Sequence, residues 1–345
     1  MNILLVSPLG FPIRPETTYA GIEQLVFNYV KELVKTHSVT VMGHANSVFP
    51  EGVTNLPTLP QYNDISQGEL QQYQVYQSYL RNFDVIHDFS HQHLASRYNS
   101  KLPSLNIFWH APGLYKYEKA PYNIIALSNW AAREFKRIYH QKALFQQSIA
   151  LDTDLYKINP HLHLHRTDRF LTIGRNAPEK GNLNAVLLCK ELGVPLDVIA
   201  ARGQEKGDSP LDDYEKAVIE NCDGQQIKFL GDAPQQVKIR LMQTCKALIY
   251  YTDHPEVTSH KIQETILCGA TVIVPYLGAL PEIVTQGVNG FLCRERNDFI
   301  QSMKKIDSLV YPKEAYKEFQ KKYSIEFVIS EYIPLYNRVT QGEHW

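Results

Sequence analysis

Five cysteines are scattered through 345 residues, and none forms a Cys-x-x-Cys pair. The odd number and wide spacing of Cys189, Cys222, Cys245, Cys268 and Cys293 argue against a disulfide framework or a zinc site. They point to reduced thiols in a cytoplasmic protein. No run of 18 apolar residues occurs, so no membrane-spanning helix is expected. The opening MNILLVSPLGFPIRP lacks a basic leader and reads as a first strand, not a signal peptide. Charge of one sign is not in excess: 35 Lys+Arg stand against 36 Asp+Glu, and the two signs are close to balanced within each half. That balance argues against a dedicated nucleic-acid binder. With 44% hydrophobic and 21% charged residues the chain is an ordinary globular one, neither disordered nor fibrous. No short repeat and no low-complexity tract is found.

What is present is alternation. Short apolar runs (Met1–Ser7, Ser38–Gly43, Asp84–His87, Leu105–His110, Ile124–Ser128) alternate with amphipathic stretches such as Gly21–Lys35, which carries Ile22, Leu25, Val26, Tyr29, Val30 and Leu33 at helical spacing. The pattern breaks in polar DTDLYKINPHLHLHRTD and restarts at Phe170–Gly174. It then runs through strands at Leu196–Ala201, Ile227–Gly231, Ala247–Tyr251 and Thr271–Pro275, with helices between them. Two starts of a β-α-β alternation predict an α/β protein of two doubly wound domains, each with a parallel sheet. Ligands of such sheets bind at the carboxyl ends of strands, so residues just after strands are the candidates for chemistry.

Four groups qualify. Gly174-Arg175-Asn176-Ala177-Pro178-Glu179-Lys180-Gly181 follows a strand and precedes a helix. The planar fork of Arg175 and the point charge of Lys180 both suit phosphate oxygens, and a helix start adds amide donors. Glu256-Val-Thr-Ser-His-Lys-Ile-Gln-Glu264 leads into a helix that Thr258 or Ser259 can cap. Its two carboxylates can hold hydroxyls, or can simply be surface glutamates. Gly21, at a helix start after a long loop, allows close approach to backbone amides. It is not a GxGxxG fingerprint, which weakens a dinucleotide reading. His87 and His110 each end a strand and are expected to face a ligand cleft.

Other clusters carry less. His87-Asp-Phe-Ser-His91-Gln-His93 superficially resembles a metal site but lacks the usual carboxylate ligands and second cluster. His161, His163 and His165 read as a solvated linker, and Asp152 and Asp154 as hinge or capping residues. Arg133, Lys136, Arg137 and Lys142 are either a solvated helix face or a weak peripheral contact with an anionic membrane. Tyr115, Tyr117 and Tyr122 follow His110, where they can stack on a ligand or pack in the core or on the surface.

Taken together, YAGIEQ, DVIHDFS, NIFWHAP, ALSNWA, GRNAPEKG, IKFLGD, EVTSHKIQE, CGATVIVP, GALPEIV and GVNGFLC resemble glycosyltransferase family 4 over almost the full length, in order and spacing. The resemblance implies a GT-B architecture: two facing Rossmann-like, doubly wound domains with an interdomain cleft. Residues 1–155 would bind the acceptor, 156–165 would be the linker, 166–324 would bind the nucleotide sugar, and 325–345 would pack back on the first domain. It implies that Arg175 and Lys180 hold the diphosphate, that Glu264 holds the ribose, and that Glu256 holds sugar hydroxyls or stabilises developing positive charge. Gly21 would approach the diphosphate, His110 would lie near the reacting centre, and Thr258, Ser259 and His260 would complete the donor site. His87 and Tyr115 would sit in the acceptor vicinity. Thr258 and Ser259 replace the family's usual Phe-Gly, Ala279 replaces the second glycine of a pair, and Ala20 stands where glycine is common.

The implied reaction is metal-independent glycosyl transfer with retention, from a nucleotide-sugar donor (UDP by default) to a saccharide or other hydroxyl acceptor, with no cofactor. The alternatives left open are a non-catalytic sugar- or nucleotide-binding protein and another GT-B enzyme such as an epimerase. A GT-B phosphorylase usually has a much larger chain, and a nicotinamide oxidoreductase would need the missing glycine fingerprint.

Overall fold

The computed structural model describes residues 1–15, 21–57, 65–110, 117–146, 149–163, 165–202 and 209–345. The chain divides into two compact units, Met1–Asp152 with Lys322–Trp345, and Thr153–Lys321.

The first unit contains β1 (Asn2–Val6), α1 (Gly21–Leu33), β2 (Ser38–Gly43), β3 (Val53–Pro57), α2 (Ile65–Tyr76), β4 (Val85–Asp88), α3 (Leu94–Tyr98), β5 (Ser104–Phe108), β6 (Ile124–Ala126), α4 (Asn129–Tyr139) and β7 (Ala143–Phe145). Its seven strands lie in the order β3-β2-β1-β4-β5-β6-β7, and every pairing is parallel. The strand order reverses at β1, so the carboxyl ends of β1 and β4 flank the switch point where such sheets take ligands. Central strands covered on both faces must be apolar throughout, and Ile3, Leu4, Leu5 and Val6 are all fully buried.

The second unit contains α5 (Pro160–His163), β8 (Phe170–Arg175), α6 (Asn182–Leu192), β9 (Leu196–Ala201), α7 (Asp213–Glu220), β10 (Ile227–Gly231), α8 (Gln235–Thr244), β11 (Leu248–Ile249), α9 (His260–Leu267), β12 (Val272–Pro275), α10 (Leu280–Ile283), β13 (Gly290–Cys293), α11 (Arg296–Lys305) and α12 (Lys313–Tyr323), which runs to the unit boundary. Six parallel strands order as β10-β9-β8-β11-β12-β13. Here the switch point lies between β8 and β11. Ala185, Val186 and Leu188 of α6 pack with Val198, Ile249 and Phe299 in one core. Each of the Val, Leu, Ile and Phe side chains among them contributes roughly 1.5–3 kcal/mol on burial.

The last helix, α13 (Ile325–Thr340), is counted with the first unit. Val328, Tyr332 and Tyr336 are on its buried stripe, and Tyr332 meets Tyr29 of α1 edge-on at 5.4 Å. Residues 156–165, expected as a linker, fall within the second unit; the division comes at 152/153 and α5 forms just after it. All five cysteines are free. No described helix is long and apolar enough to cross a membrane.

Candidate active site

The turn after β8 is fixed from several sides. Asn182 Nδ2 donates to the Arg175 carbonyl at 2.8 Å, and Thr252 Oγ1 donates to the Glu179 carbonyl at 2.8 Å. Gly181 closes the turn at φ 68°, a left-handed conformation suited to glycine. A Cβ there would lie 2.0 Å from the Tyr251 carbonyl oxygen. The turn therefore packs directly on the segment after β11, and its two cations are held at the switch point. Arg175 is ion-paired with Glu179, while Lys180 Nζ lies 2.6 Å from Glu256 Oε1. Burial alone would raise the Glu179 carboxyl, but its own amide, Arg175 and Lys180 together hold it below its ordinary range.

Glu256 is held by both main chain and side chain. Its carbonyl accepts from Ala279 N at 2.9 Å, and Gly278, at φ 58°, sits so close that a Cβ would lie 2.6 Å from that oxygen. Thus the first glycine of the Gly278-Ala279 pair is required by contact, and the second needs only its amide. The Tyr250 hydroxyl donates to the same Oε1 that Lys180 holds. Glu264, buried on α9, pairs with Lys261 at 2.7 Å.

The capping expectation is corrected. Ser259 occupies the N-cap position of α9 but makes no side-chain cap bond, and Thr258 Oγ1 accepts from Gln263 Nε2 at 3.4 Å. His260 opens the helix. Burial, and then Lys261 and Lys180, push its imidazole down to about 3, so it is neutral at physiological pH. Its Nε2 is buried and has no hydrogen-bond partner among the described residues.

In the first unit the expected residues separate. Gly21 opens α1 and is exposed; residues 16–20 before it lie outside the described residues, as does Tyr115. His110 follows β5 and its ring centroid is 5.1 Å from that of His91. Burial, helped by His91 and His93, pushes His110 down to about 3. His87 does not face a ligand site. It is fully buried on β4, shares a 2.8 Å hydrogen bond with the Tyr336 hydroxyl, and stacks on Tyr332 at 5.0 Å. It is a core histidine, because its position on the strand points it at α13. Tyr117 is also buried, its hydroxyl donating to the His91 carbonyl at 3.1 Å. Phe135 of α4 is buried, and Arg133, Lys136 and Arg137 are exposed. Among the described residues no group of three His, Cys, Asp or Glu is placed to hold a metal ion.

Two supporting residues carry no signal in the sequence motifs. Tyr250 reads as one more aromatic at the end of an apolar run. Glu69, on α2, is buried, and its two oxygens accept from His91 N and Gln92 N, each at 2.8 Å. It ties the loop after β4, and so His91, to a helix.

Residues 157–324 match the family model described as "Glycosyl transferases group 1". That match covers the second unit, the glycosyltransferase domain of the chain, and supports a glycosyltransferase enzyme. AviGT4, a glycosyltransferase involved in avilamycin A biosynthesis, superposes with a TM-score of 0.71 at 18% identity, covering 100% of this chain and 99% of that one. Sucrose-phosphate synthase from Thermosynechococcus elongatus gives 0.80 at 13% identity over 99% and 100% of the two chains. Anabaena Alr3699/HepE in complex with UDP-glucose gives 0.64 at 17% identity over 99% and 98%. These likenesses establish the GT-B fold of the whole chain. No curated protein matches the sequence.

Proposed function

We propose that this glycosyltransferase moves a sugar from a nucleoside-diphosphate sugar, UDP-linked, to an acceptor hydroxyl, with retention and without a metal. The observation that carries the reading is the anchoring of Arg175 and Lys180 on one turn at the β8/β11 switch point, with Glu256 against Lys180. Breaking the sugar–oxygen bond leaves negative charge on the diphosphate. A guanidinium fork, an ammonium and the amides opening α9 stabilise that charge from fixed positions. Removing one such donor typically costs about 3 kcal/mol in barrier, near a hundredfold in rate.

Both cations are held by carboxylates. Donor binding would exchange these partners for phosphate oxygens, which accept from a guanidinium fork and an ammonium as readily as a carboxylate does. Glu256 would then meet the sugar, where a carboxylate holds hydroxyls or offsets positive charge at the anomeric carbon. Glu264 would hold the ribose. The neutral His110 would serve near the reacting centre, and the first unit would recognise the acceptor. The UDP assignment draws on HepE, a structure of the same fold solved with UDP-glucose.

The test is a screen of UDP-, GDP- and ADP-sugars with saccharide acceptors in the presence of EDTA, with mass detection and NMR of the product anomer. A retained product from a UDP-sugar supports the reading. Inversion, a requirement for added divalent metal, or a donor of another base each overturns the corresponding part. Absence of transfer and hydrolysis with every donor overturns the whole.

A further inference from the structure

Among the described residues the carboxylate of Glu256 is held through one of its two oxygens. Oε1 accepts from both Lys180 Nζ, at 2.6 Å, and the Tyr250 hydroxyl, while Oε2 takes no hydrogen bond among the described residues. The two donors differ in kind. Lys180 is a flexible four-carbon stem ending in a strongly hydrated charge, and the proposed reaction draws that charge toward the diphosphate. Tyr250 is rigid and fixed. Only 4% exposed, it follows β11 directly, and its backbone N donates to the Ile273 carbonyl at 2.9 Å. Burial and the adjacent Glu256 carboxylate push its phenol well above the ordinary range, so it remains a donor throughout.

We propose that Tyr250 is a positioning residue for Glu256: its hydroxyl keeps Oε1 in place when Lys180 turns to the diphosphate, and so presents Oε2 to the transferred sugar. Lys180 serves the leaving group and cannot by itself also fix the carboxylate. The Ala279 amide and Gly278 fix the main chain of Glu256 but not its side chain. The Tyr250 bond supplies the remaining constraint, and a hydrogen bond to a charged group is strong enough to hold a rotamer.

The inference rests on the donor reading above, and a mutant cycle separates the two. Tyr250→Phe keeps the ring and removes the hydroxyl. With the nucleotide sugar identified by the donor screen, kcat is expected to fall about tenfold to a hundredfold, the worth of one charge-assisted hydrogen bond. UDP affinity, measured by calorimetry, is expected to stay within twofold, which also reports that the site is folded. In a Glu256→Ala background the same change is expected to have no further effect on kcat. An equal loss in both backgrounds, or a loss of UDP affinity in step with kcat, overturns the positioning role and makes Tyr250 a packing residue. Full turnover in Glu256→Ala alone overturns the role of Glu256 itself, and the proposal for Tyr250 with it.

Discussion

Lys180 Nζ lies 2.6 Å from Glu256 Oε1, joining a turn after β8 to a loop after β11 across 76 residues of sequence. Both side chains are partly open to solvent, so the pair itself adds little stability, about 1 kcal/mol or less. On the proposed reading its significance is positional, with the cation beside the diphosphate and the carboxylate beside the sugar. Lys180→Ala is therefore expected to leave the circular dichroism spectrum and melting behaviour nearly unchanged while cutting transfer about a hundredfold. A rate equal to wild type at saturating donor would reject the diphosphate role.

Arg175 is ion-paired with Glu179. A diphosphate must displace that carboxylate or share the guanidinium with it. Glu179→Gln removes the competing charge and keeps the shape of the side chain. UDP is expected to bind a few-fold tighter, measured by calorimetry at fixed ionic strength because the effect is electrostatic. Weaker binding would show instead that Glu179 aims Arg175 and that its charge does not compete.

Much of this site was legible in the sequence because a turn after a buried strand has few purposes. GRNAPEKG follows Phe170-Leu-Thr-Ile, and the strand's burial on both faces makes it a continuous apolar signal. The edge strands β3, β7 and β13 escaped, since Val53–Pro57 contains Asn and Pro, Ala143–Phe145 is three residues long, and Gly290–Cys293 begins with glycine. His87 misled for a physical reason. The end of a strand tells which edge of the sheet a residue is near but not which face it enters. Here the covering helix is α13, whose Tyr336 is 249 residues further on. Tyr250 was hidden similarly, as a phenol in a core position is usually there for its ring.

Gly181 and Gly193 bracket α6 with nearly the same backbone, φ 68° and 66°. Only their surroundings differ: a Cβ on Gly181 would lie 2.0 Å from the Tyr251 carbonyl, and one on Gly193 would meet nothing within 4 Å. Gly193→Ala should cost only the left-handed strain, roughly 1 kcal/mol. Gly181→Ala should cost at least about 2 kcal/mol more in urea unfolding, and should impair transfer because Lys180 must shift with the turn. Equal costs at the two positions would mean that the turn is free to move away from Tyr251.

His87 sets an expectation for acid stability. Its imidazole, ordinarily titrating at 6.5, is pushed down to about 3 by burial. Between these values the unfolded chain takes up a proton that the folded chain refuses, so stability falls as pH drops through 6.5 toward 3, by up to a few kcal/mol from this residue. Above 6.5 the contribution is constant. His87→Gln offers Tyr336 a hydrogen-bond partner that never titrates. It should cost stability at pH 7 through lost ring packing against Tyr29, Phe89 and Tyr332, yet the variant should lose less on acidification than wild type does. Part of the acid slope should persist, because His91 and His110 are pushed down by burial as well, to about 4 and about 3. Unfolding free energies measured at half-unit intervals from pH 7 to 4 decide it: parallel curves would mean that His87 picks up its proton in the folded core, and that the space beside Tyr336 admits a charge.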